Sequence, residues 1–271
     1  MQDNKGIQVD VVVLAGRANT GRLKEISEET QEALIQLAGR PQVEYVLDAL
    51  VEARCTREIV LVAPDDLDGL LRPGIRRVPV VGDMLGNLKE GLNSAQSDWV
   101  LIATSDIPLL KGDMVDEFLQ DCFSQPGASV YMPVVPADVL ESFNDDMKRT
   151  YGRVREGRYT GGNLFLIKRV LPPHVWERAE EFVAARKSVL RLASLLGLGF
   201  ILRMLLWPPS IEQLEQRIGE LVGLSVKAVP STCPQLAVDC DKPSDYEVIS
   251  ALLQGQTPAG EGIGNPEQRE Q

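Results

Sequence analysis

The sequence predicts an α/β fold, with a mostly parallel central sheet flanked by helices and a helical insertion in the second half. Short runs rich in β-branched residues alternate with longer helical patterns along the 271 residues. Several of these runs are hydrophobic almost without interruption, which is typical of strands covered on both faces of a parallel sheet. Apolar residues make up 44% of the chain and charged residues 25%, so the chain can bury a core of ordinary size.

The strands are predicted from runs of β-branched and aliphatic residues. The three most hydrophobic runs are 8–15 (QVDVVVLA), 58–63 (EIVLVA) and 99–104 (WVLIAT). They have the composition of strands in the middle of a doubly covered sheet. The other predicted strands are 77–81, 129–135, 164–167 and 236–239.

The helices are predicted from apolar residues spaced three and four apart. The clearest spans 43–51, where valines and leucines repeat at this spacing and Pro41 suits the first turn. The other predicted helices are 85–95, 114–123, 175–185, 211–222 and 244–253.

The predicted strand 236–239 bears on how many domains the chain forms. A late strand that returns to an early sheet favours one domain over 1–255, with a helical insertion at about 169–225. The last residues, 256–271, contain glycine and proline and have no apolar periodicity, so we expect a disordered tail.

Composition excludes some classes of partner. A net charge of −11 argues against a broad electrostatic grip on nucleic acid. Four scattered cysteines without metal-binding spacing, and a polar N-terminus, predict a cytoplasmic protein. Within the apolar stretch 188–207, the uninterrupted apolar core 192–202 is bracketed by Arg191 and Arg203 and is about half the length needed to span a bilayer, so we interpret the stretch as a buried or interfacial helix pair, with membrane contact as the alternative.

The loop after the first strand is the most informative motif. It contains Leu14, Ala15, Gly16, Gly21, Arg22 and Lys24, which places glycines and cations at the carboxyl edge of the sheet. This edge is where α/β folds bind nucleotides. Gly16 and Gly21 have the spacing of a P-loop, but Arg22 and Leu23 replace its lysine and metal-binding hydroxyl. The loop therefore predicts another kind of phosphate-binding loop, with a purely structural turn as the alternative.

Acidic residues follow two predicted strands. Asp106 follows strand 99–104 by two residues. Asp239 is the last residue of strand 236–239, and Asp241 follows it by two residues. Carboxylates at strand ends can hold a hard divalent cation such as Mg²⁺ without burial in the core. For Asp241 the alternative is a helix N-cap, and we expect Asp245 to face solvent in the first turn of the following helix.

Five segments point to a known family: VVVLAG with GRL, ALIQLAGRPQVEYVLDAL, GNLKEGL, VLIATSDIPLL and VDCDKPSDYEV occur in this order over about 8–253. In this respect the chain resembles the MobA-like NTP transferases, nucleotidyltransferases on a glycosyltransferase-A-like sheet. The resemblance implies transfer of a nucleotidyl group from an NTP to a phosphorylated or sugar-like acceptor, with Mg²⁺ and release of pyrophosphate. It implies a triphosphate site at Gly16, Gly21 and Arg22, contacts of Gly86 and Asn87 with base or ribose, and a metal at Asp106 and Asp241. Arg22 and Asp106 are the predicted catalytic residues.

The chain departs from the family at Glu32, where members usually carry a lysine that neutralises the α-phosphate. A carboxylate at that place would repel the triphosphate. Either Arg17, Arg22 or Lys24 supplies the missing positive charge, or the protein binds a nucleotide without activating it.

The acceptor is expected to bind in the middle of the chain. The candidates are Arg149, Tyr151, Gly161, Gly162 and Asn163, where basic residues precede a Gly-Gly-Asn turn that permits close approach. A solvated loop is the alternative.

Two functions compete with the nucleotidyltransferase: a glycosyltransferase of the same fold, with Asp239 and Asp241 as its acidic motif, and a non-catalytic nucleotide-binding protein. The sequence leaves the base, the acceptor and the oligomeric state open.

Overall fold

A computed structural model describes residues 6–144, 147, 149–185, 197 and 207–255. Within these ranges the chain forms a large sheet, a separate two-stranded ribbon and helices on both sides of the sheet. The strands are β1 Val9–Leu14, β2 Gln36–Leu37, β3 Arg40–Pro41, β4 Thr56–Val62, β5 Ile75–Val78, β6 Trp99–Thr104, β7 Val130–Pro136, β8 Gly152–Val154, β9 Gly157–Gly161, β10 Leu164–Lys168 and β11 Val226–Pro230.

The described helices cover both faces and one edge of this sheet. They are α1 Gln42–Glu52, α2 Met84–Ser94, α3 Gly112–Ser124, α4 Ala137–Phe143, α5 Pro173–Ala185, α6 Ile211–Val222 and α7 Pro243–Leu253. Short 3₁₀ helices occupy four connections: Arg22–Glu25, Glu32–Leu34, Asp65–Leu70 and Pro234–Ala237.

The sheet has nine strands in the described part of the chain, in the order β5-β4-β1-β6-β10-β7-β9-β8, with β11 also paired to β7. Strands β10 and β9 run opposite to the others, so the sheet is mostly parallel, as predicted. Strand β1 lies between β4 and β6, and Leu14 is in register with Thr104. The loops that follow β1 and β6 therefore leave the same edge of the sheet side by side.

Alternating side chains of the central strands fill two cores. Val11 and Val13 of β1 pack in one cluster with α1 and α3, whereas Val12 packs in another with α2. This is why the central strands are apolar at nearly every position. A third cluster lies beyond the carboxyl edge, where residues of the loop 23–37 pack with α4 and α7 and support the loops there.

Two predicted strands differ from the structure. The prediction 77–81 is shifted, because β5 ends at Val78, before Pro79, which has no N–H with which to continue the ladder. The prediction of a strand at 236–239 is wrong, since Pro234 begins a 3₁₀ helix that ends at Ala237. A late strand does return to the sheet, but it is β11, which pairs in parallel with β7.

Other predictions fall partly outside the described residues. The tail 256–271 lies outside them, as does the apolar stretch 188–207 apart from Gly197 and Trp207. The single domain and its insertion stay predictions. Among the helices of the described ranges, none combines the length and the apolar character needed to cross a bilayer.

Candidate active site

Three carboxylates meet at the carboxyl edge of the sheet. Asp106 follows β6 by two residues, and the N–H of Cys240 donates to the carbonyl oxygen of Asp106 at 2.9 Å. This hydrogen bond holds the segment 239–241 against the end of β6. Cys240 is buried in the core cluster below, so Asp239 and Asp241, one residue to either side, reach Asp106. One carboxylate oxygen from each of the three residues lies within 4.8 Å of the others.

Asp106 is the most enclosed of the three. Its Oδ1 is buried and has no hydrogen-bond partner of good geometry among the described residues. Burial raises the pKa of Asp106 and Asp241 adds to the rise, whereas the nearby Thr104 hydroxyl and Arg17 oppose it. A buried carboxylate oxygen without a partner is costly, and a cation between the three carboxylates would remove the cost.

Arg149 holds Asp239 in place. Its Nη1 lies 2.7 Å from Asp239 Oδ1, and its Nη2 donates to the carbonyl oxygen of the same residue at 2.6 Å. Burial raises the pKa of Asp239 to about 6 despite the opposing effect of Arg149. Arg149 Nη1 also lies 3.5 Å from Asp245, whose side chain is 2% exposed, so the prediction that Asp245 faces solvent is wrong. Asp241 is not a helix N-cap, since Lys242 holds that position before α7.

Arg17 and Glu32 form an ion pair beside the acidic group. Arg17 Nε lies 3.1 Å from Glu32 Oε2, and Arg17 Nη1 lies 3.0 Å from Asp241 Oδ1. The backbone pairs the same two residues, since the N–H of Glu32 donates to the carbonyl oxygen of Arg17 at 3.0 Å. Burial raises the pKa of Glu32 to about 7, with Arg17 opposing the rise and the aspartates adding to it.

A buried asparagine shapes the glycine loop, and the sequence reasoning missed it. Asn19 Nδ2 donates to the carbonyl oxygens of Ser27 and Glu29, both at 3.1 Å, which folds 19–29 back on itself. The signal was available, because asparagine commonly bonds to nearby backbone in turns. Within the described residues, the N–H groups of Gly16, Arg17 and Ala18 donate to no backbone carbonyl. Three successive donors therefore stand at the edge of the sheet, a form suited to an anion.

The remaining loop residues differ in their surroundings. Leu14 ends β1, and Ala15 is buried, with its N–H donating to the carbonyl oxygen of Val62. Arg22 is exposed in the 3₁₀ helix that follows Gly21. Lys24 is exposed too, and its Nζ lies 3.1 Å from Glu28. Of the three cations proposed to replace the family lysine, Arg17 is the one that contacts Glu32.

Gly16 lies against the start of α2. A Cβ on Gly16 would stand 2.4 Å from Val80 Cγ1 and 3.2 Å from Asn87 Nδ2, so only glycine fits without movement. Asn87 is buried and accepts the N–H of Val81 at 2.6 Å, and Gly86 donates to the N-cap Asp83. The structure thus places the predicted base or ribose contacts, Gly86 and Asn87, beside the predicted triphosphate loop.

The predicted acceptor residues separate into two groups. Arg149 is engaged by the carboxylates described above, and Tyr151 lies next to the core cluster under the site, with Arg158 over its ring. Gly161 ends β9, and Gly162 is packed so closely that a Cβ would stand 2.7 Å from the carbonyl oxygen of Leu236. Asn163 donates its N–H to that same oxygen. The Gly-Gly-Asn turn therefore holds the segment that leads to Asp239, and acceptor binding there stays a prediction.

The donor set fits a divalent cation. Five carboxylates and three cations give this group of described residues a net formal charge of −2. The groups are Glu32, Asp106, Asp239, Asp241 and Asp245, with Arg17, Arg149 and Lys242. Mg²⁺ prefers such carboxylate oxygens together with phosphate oxygens.

Fold and site together define a nucleotidyltransferase-like α/β protein, with a glycine loop and an acidic group at the carboxyl edge of a mostly parallel sheet. The profile of the MobA-like NTP transferase domain matches residues 11–197, and the chain belongs to that family. The family resemblance read from the sequence is confirmed.

Individual relatives agree with this assignment. A hypothetical transferase from Thermus thermophilus superposes with a TM-score of 0.78 at 34% identity, covering 89% of this chain and 100% of its own. The 4-diphosphocytidyl-2C-methyl-D-erythritol synthase of Anaerococcus prevotii shares the fold, with a TM-score of 0.57 at 15% identity and coverage of 92% and 99% of the two chains. The molybdenum cofactor guanylyltransferase of Serratia proteamaculans is 28% identical over 130 residues, 45% of this chain and 59% of that protein. The matches to curated relatives span 47% to 59% of those proteins' own lengths.

Proposed function

We propose that the protein is a Mg²⁺-dependent enzyme that transfers a nucleotidyl group from an NTP to a phosphorylated or sugar-like acceptor and releases pyrophosphate. The observation that carries the proposal is the meeting of Asp106, Asp239 and Asp241 within 4.8 Å beside the glycine loop. Neither the loop nor the carboxylates alone would be specific. Their position at one sheet edge, in a chain of this family, supports nucleotidyl transfer over a purely structural role.

The bond changes of the proposed reaction are simple. An oxygen of the acceptor forms a bond to the α-phosphorus of the NTP, while the bond from that phosphorus to the oxygen that bridges it to the β-phosphorus breaks. Where the attacking oxygen belongs to a hydroxyl group, its proton passes to the solvent. Pyrophosphate leaves with the electron pair of the broken bond. Catalysis of such a transfer depends on positioning the reactants and on stabilising negative charge.

The chain supplies groups for both tasks. The N–H groups of Gly16, Arg17 and Ala18, which donate to no backbone carbonyl among the described residues, would hold phosphate oxygens, and Arg17 and Arg22 would add positive charge at the same loop. Asp106, Asp239 and Asp241 would hold Mg²⁺, which when bound neutralises phosphate charge. Arg149 orients Asp239, and Gly86 and Asn87 would contact base or ribose.

Pyrophosphate release tests the proposal. Each of the four NTPs is incubated with a panel of sugar phosphates and polyols, with Mg²⁺ or with EDTA, and pyrophosphate is measured by a coupled enzyme assay. We expect Mg²⁺-dependent release of pyrophosphate with one NTP and one acceptor class. In Asp106→Asn the rate of release should fall by at least 100-fold, which corresponds to about 2.7 kcal/mol of activation free energy. The matched control is Asp113→Asn, an exposed carboxylate in α3.

Other outcomes point to the competing functions. Nucleotide binding without turnover for any acceptor would favour the non-catalytic binder that Glu32 suggested. Release of a nucleoside diphosphate from a nucleotide sugar would instead indicate a glycosyltransferase. Equal activity of Asp106→Asn and Asp113→Asn would remove Asp106 from the site.

A further inference from the structure

Arg17 contacts two carboxylates of different character. Glu32, bound through Nε, has a side chain only 4% exposed, while Asp241, bound through Nη1, is 46% exposed. The Glu32 contact is reinforced by the backbone hydrogen bond between the same residues. The contact with Asp241 has no such support, and it joins residues 224 positions apart in the chain. Glu32 is thus the fixed partner of Arg17, and Asp241 is the exchangeable one.

The contact with Asp241 conflicts with the proposed role of that residue. Asp241 is one of the three carboxylates that would hold Mg²⁺, and its Oδ1 already accepts a hydrogen bond from a guanidinium. Two cations beside one carboxylate compete for its negative charge and repel each other. The positive charge of Arg17 therefore opposes cation binding when no nucleotide is present.

Arg17 also lies beside Gly21 of the predicted triphosphate loop. Its remaining terminal nitrogen, Nη2, lies 3.8 Å from the position that a Cβ on Gly21 would take, Glu32 Oε1 lies 3.3 Å from the same position, and the Arg17 side chain is 61% exposed. A guanidinium has five N–H donors and can keep one partner while it exchanges another. Phosphate oxygens accept such donors in strong, charge-assisted hydrogen bonds.

We infer that Arg17 is an exchangeable counter-ion of the acidic site. It pairs with Asp241 in the empty site, and it transfers that hydrogen bond to the triphosphate when the divalent cation occupies the three carboxylates. Throughout, Glu32 anchors its Nε. This inference rests on the proposed function, and it assigns a role to Glu32. Where other family members have a lysine that binds phosphate, this chain has Glu32, which holds Arg17, and Arg17 binds the phosphate.

The inference makes two predictions of opposite sign for Arg17→Gln. Binding of Mn²⁺ alone, measured as free Mn²⁺ by electron paramagnetic resonance, should tighten by about threefold to tenfold, because a competing charge is gone. Binding of NTP in the presence of Mg²⁺, measured by equilibrium dialysis for each of the four NTPs, should weaken by about tenfold. If Arg17 had only a structural role, its substitution would not tighten Mn²⁺ binding while weakening NTP binding.

Two further variants make the test decisive. Arg17→Gln leaves Glu32 buried without its partner, so the double variant Arg17→Gln/Glu32→Gln removes both charges. Because the net charge of the site is then unchanged while Asp241 is freed, Mn²⁺ binding should tighten less than in the single variant, and NTP binding should weaken as in the single variant. The control is Arg217→Gln. In the wild type, Arg217 Nη1 lies 3.2 Å from Glu220 Oε2 on α6, and in the variant both affinities should stay unchanged.

The outcomes separate this inference from the proposed function. Tighter Mn²⁺ binding with weaker NTP binding supports the inference. If both affinities fall together, or if neither changes, while Asp106→Asn still abolishes Mn²⁺ binding, the inference is wrong and the acidic site stands. If Asp106→Asn binds Mn²⁺ as tightly as the wild type, the proposed metal site fails and the inference fails with it.

Discussion

Asp10 at the start of β1 is expected to control the stability of the strands that carry the site. Its side chain is fully buried and accepts two hydrogen bonds from Arg57 of β4, both at 2.7 Å. Oδ2 also accepts the N–H groups of Gln96 and Ser97, at 2.6 and 2.9 Å, in the turn before β6. One carboxylate therefore links β1 to β4 and to the start of β6.

Replacing Asp10 with Asn keeps the shape but removes the charge. The amide nitrogen of the asparagine cannot accept, so at least one donor of Arg57 loses its partner. A hydrogen bond to a charged group contributes about 1.5–3 kcal/mol. Arg57 is 37% exposed, and solvent screens part of its charge. We expect Asp10→Asn to lower the free energy of unfolding by about 2–3 kcal/mol, which would lower the urea midpoint by about 1 M.

The pH dependence of this difference has a definite sign. Burial raises the pKa of Asp10, but Arg57 and the N–H groups of Gln96 and Ser97 outweigh it and leave the pKa below its ordinary value. The stabilisation is therefore complete at neutral pH and is lost as the pH falls below about 4, the value for an unfolded aspartate. Urea titrations of both proteins from pH 7 to pH 3 should show the gap narrowing at low pH. An equal midpoint at pH 7, or a gap that widens in acid, would refute the reasoning.

Three further predictions concern the loops around the site. Gly162→Ala should lower stability by about 1–3 kcal/mol in urea unfolding, because its Cβ would stand 2.7 Å from the carbonyl oxygen of Leu236; an unchanged midpoint would show that the turn yields. Gly16→Ala should weaken NTP binding in a dialysis titration, since its Cβ would stand 2.4 Å from Val80 and displace the loop; unaltered affinity would contradict a close-fitting loop. Arg22→Ala should raise the Kd for NTP by about tenfold through loss of a charge-assisted phosphate contact, whereas a superimposable titration would indicate a structural turn.

The strands of the sheet could be predicted from the sequence where hydrophobic residues follow one another almost without interruption. Strands β1, β4 and β6 are buried on both faces over most of their length, so most of their positions are apolar and their existence is clear from the sequence. Helix α6 was predicted with its observed bounds, and the structure shows that it begins at the N-cap Ser210 and ends at a left-handed Gly223. The hairpin of β8 and β9 and the short helix α4 were not predicted, since their residues are half-exposed and lack a clear period.

The sequence predicted where the candidate site residues lie, but not how their side chains pair. Strand ends placed Asp106 at the sheet edge, and alternation put Asp239 and Asp241 on one side of a segment, although that segment is not a strand. The contacts of Arg17 with Glu32 and of Arg149 with Asp239 depend on loops that meet only in the folded chain. No local periodicity in the sequence encodes such contacts, so only the folded structure shows them.

The central claim is that Asp106, Asp239 and Asp241 hold a divalent cation against the triphosphate of an NTP. Anomalous diffraction from crystals grown with Mn²⁺ and a non-hydrolysable NTP analogue tests it most directly. The account predicts one strong anomalous peak between these three carboxylates, with phosphate oxygens of the analogue also bound to the metal and the glycine loop 16–21 around the triphosphate. Nucleotide bound elsewhere, or a peak that lies away from Asp106, would contradict it.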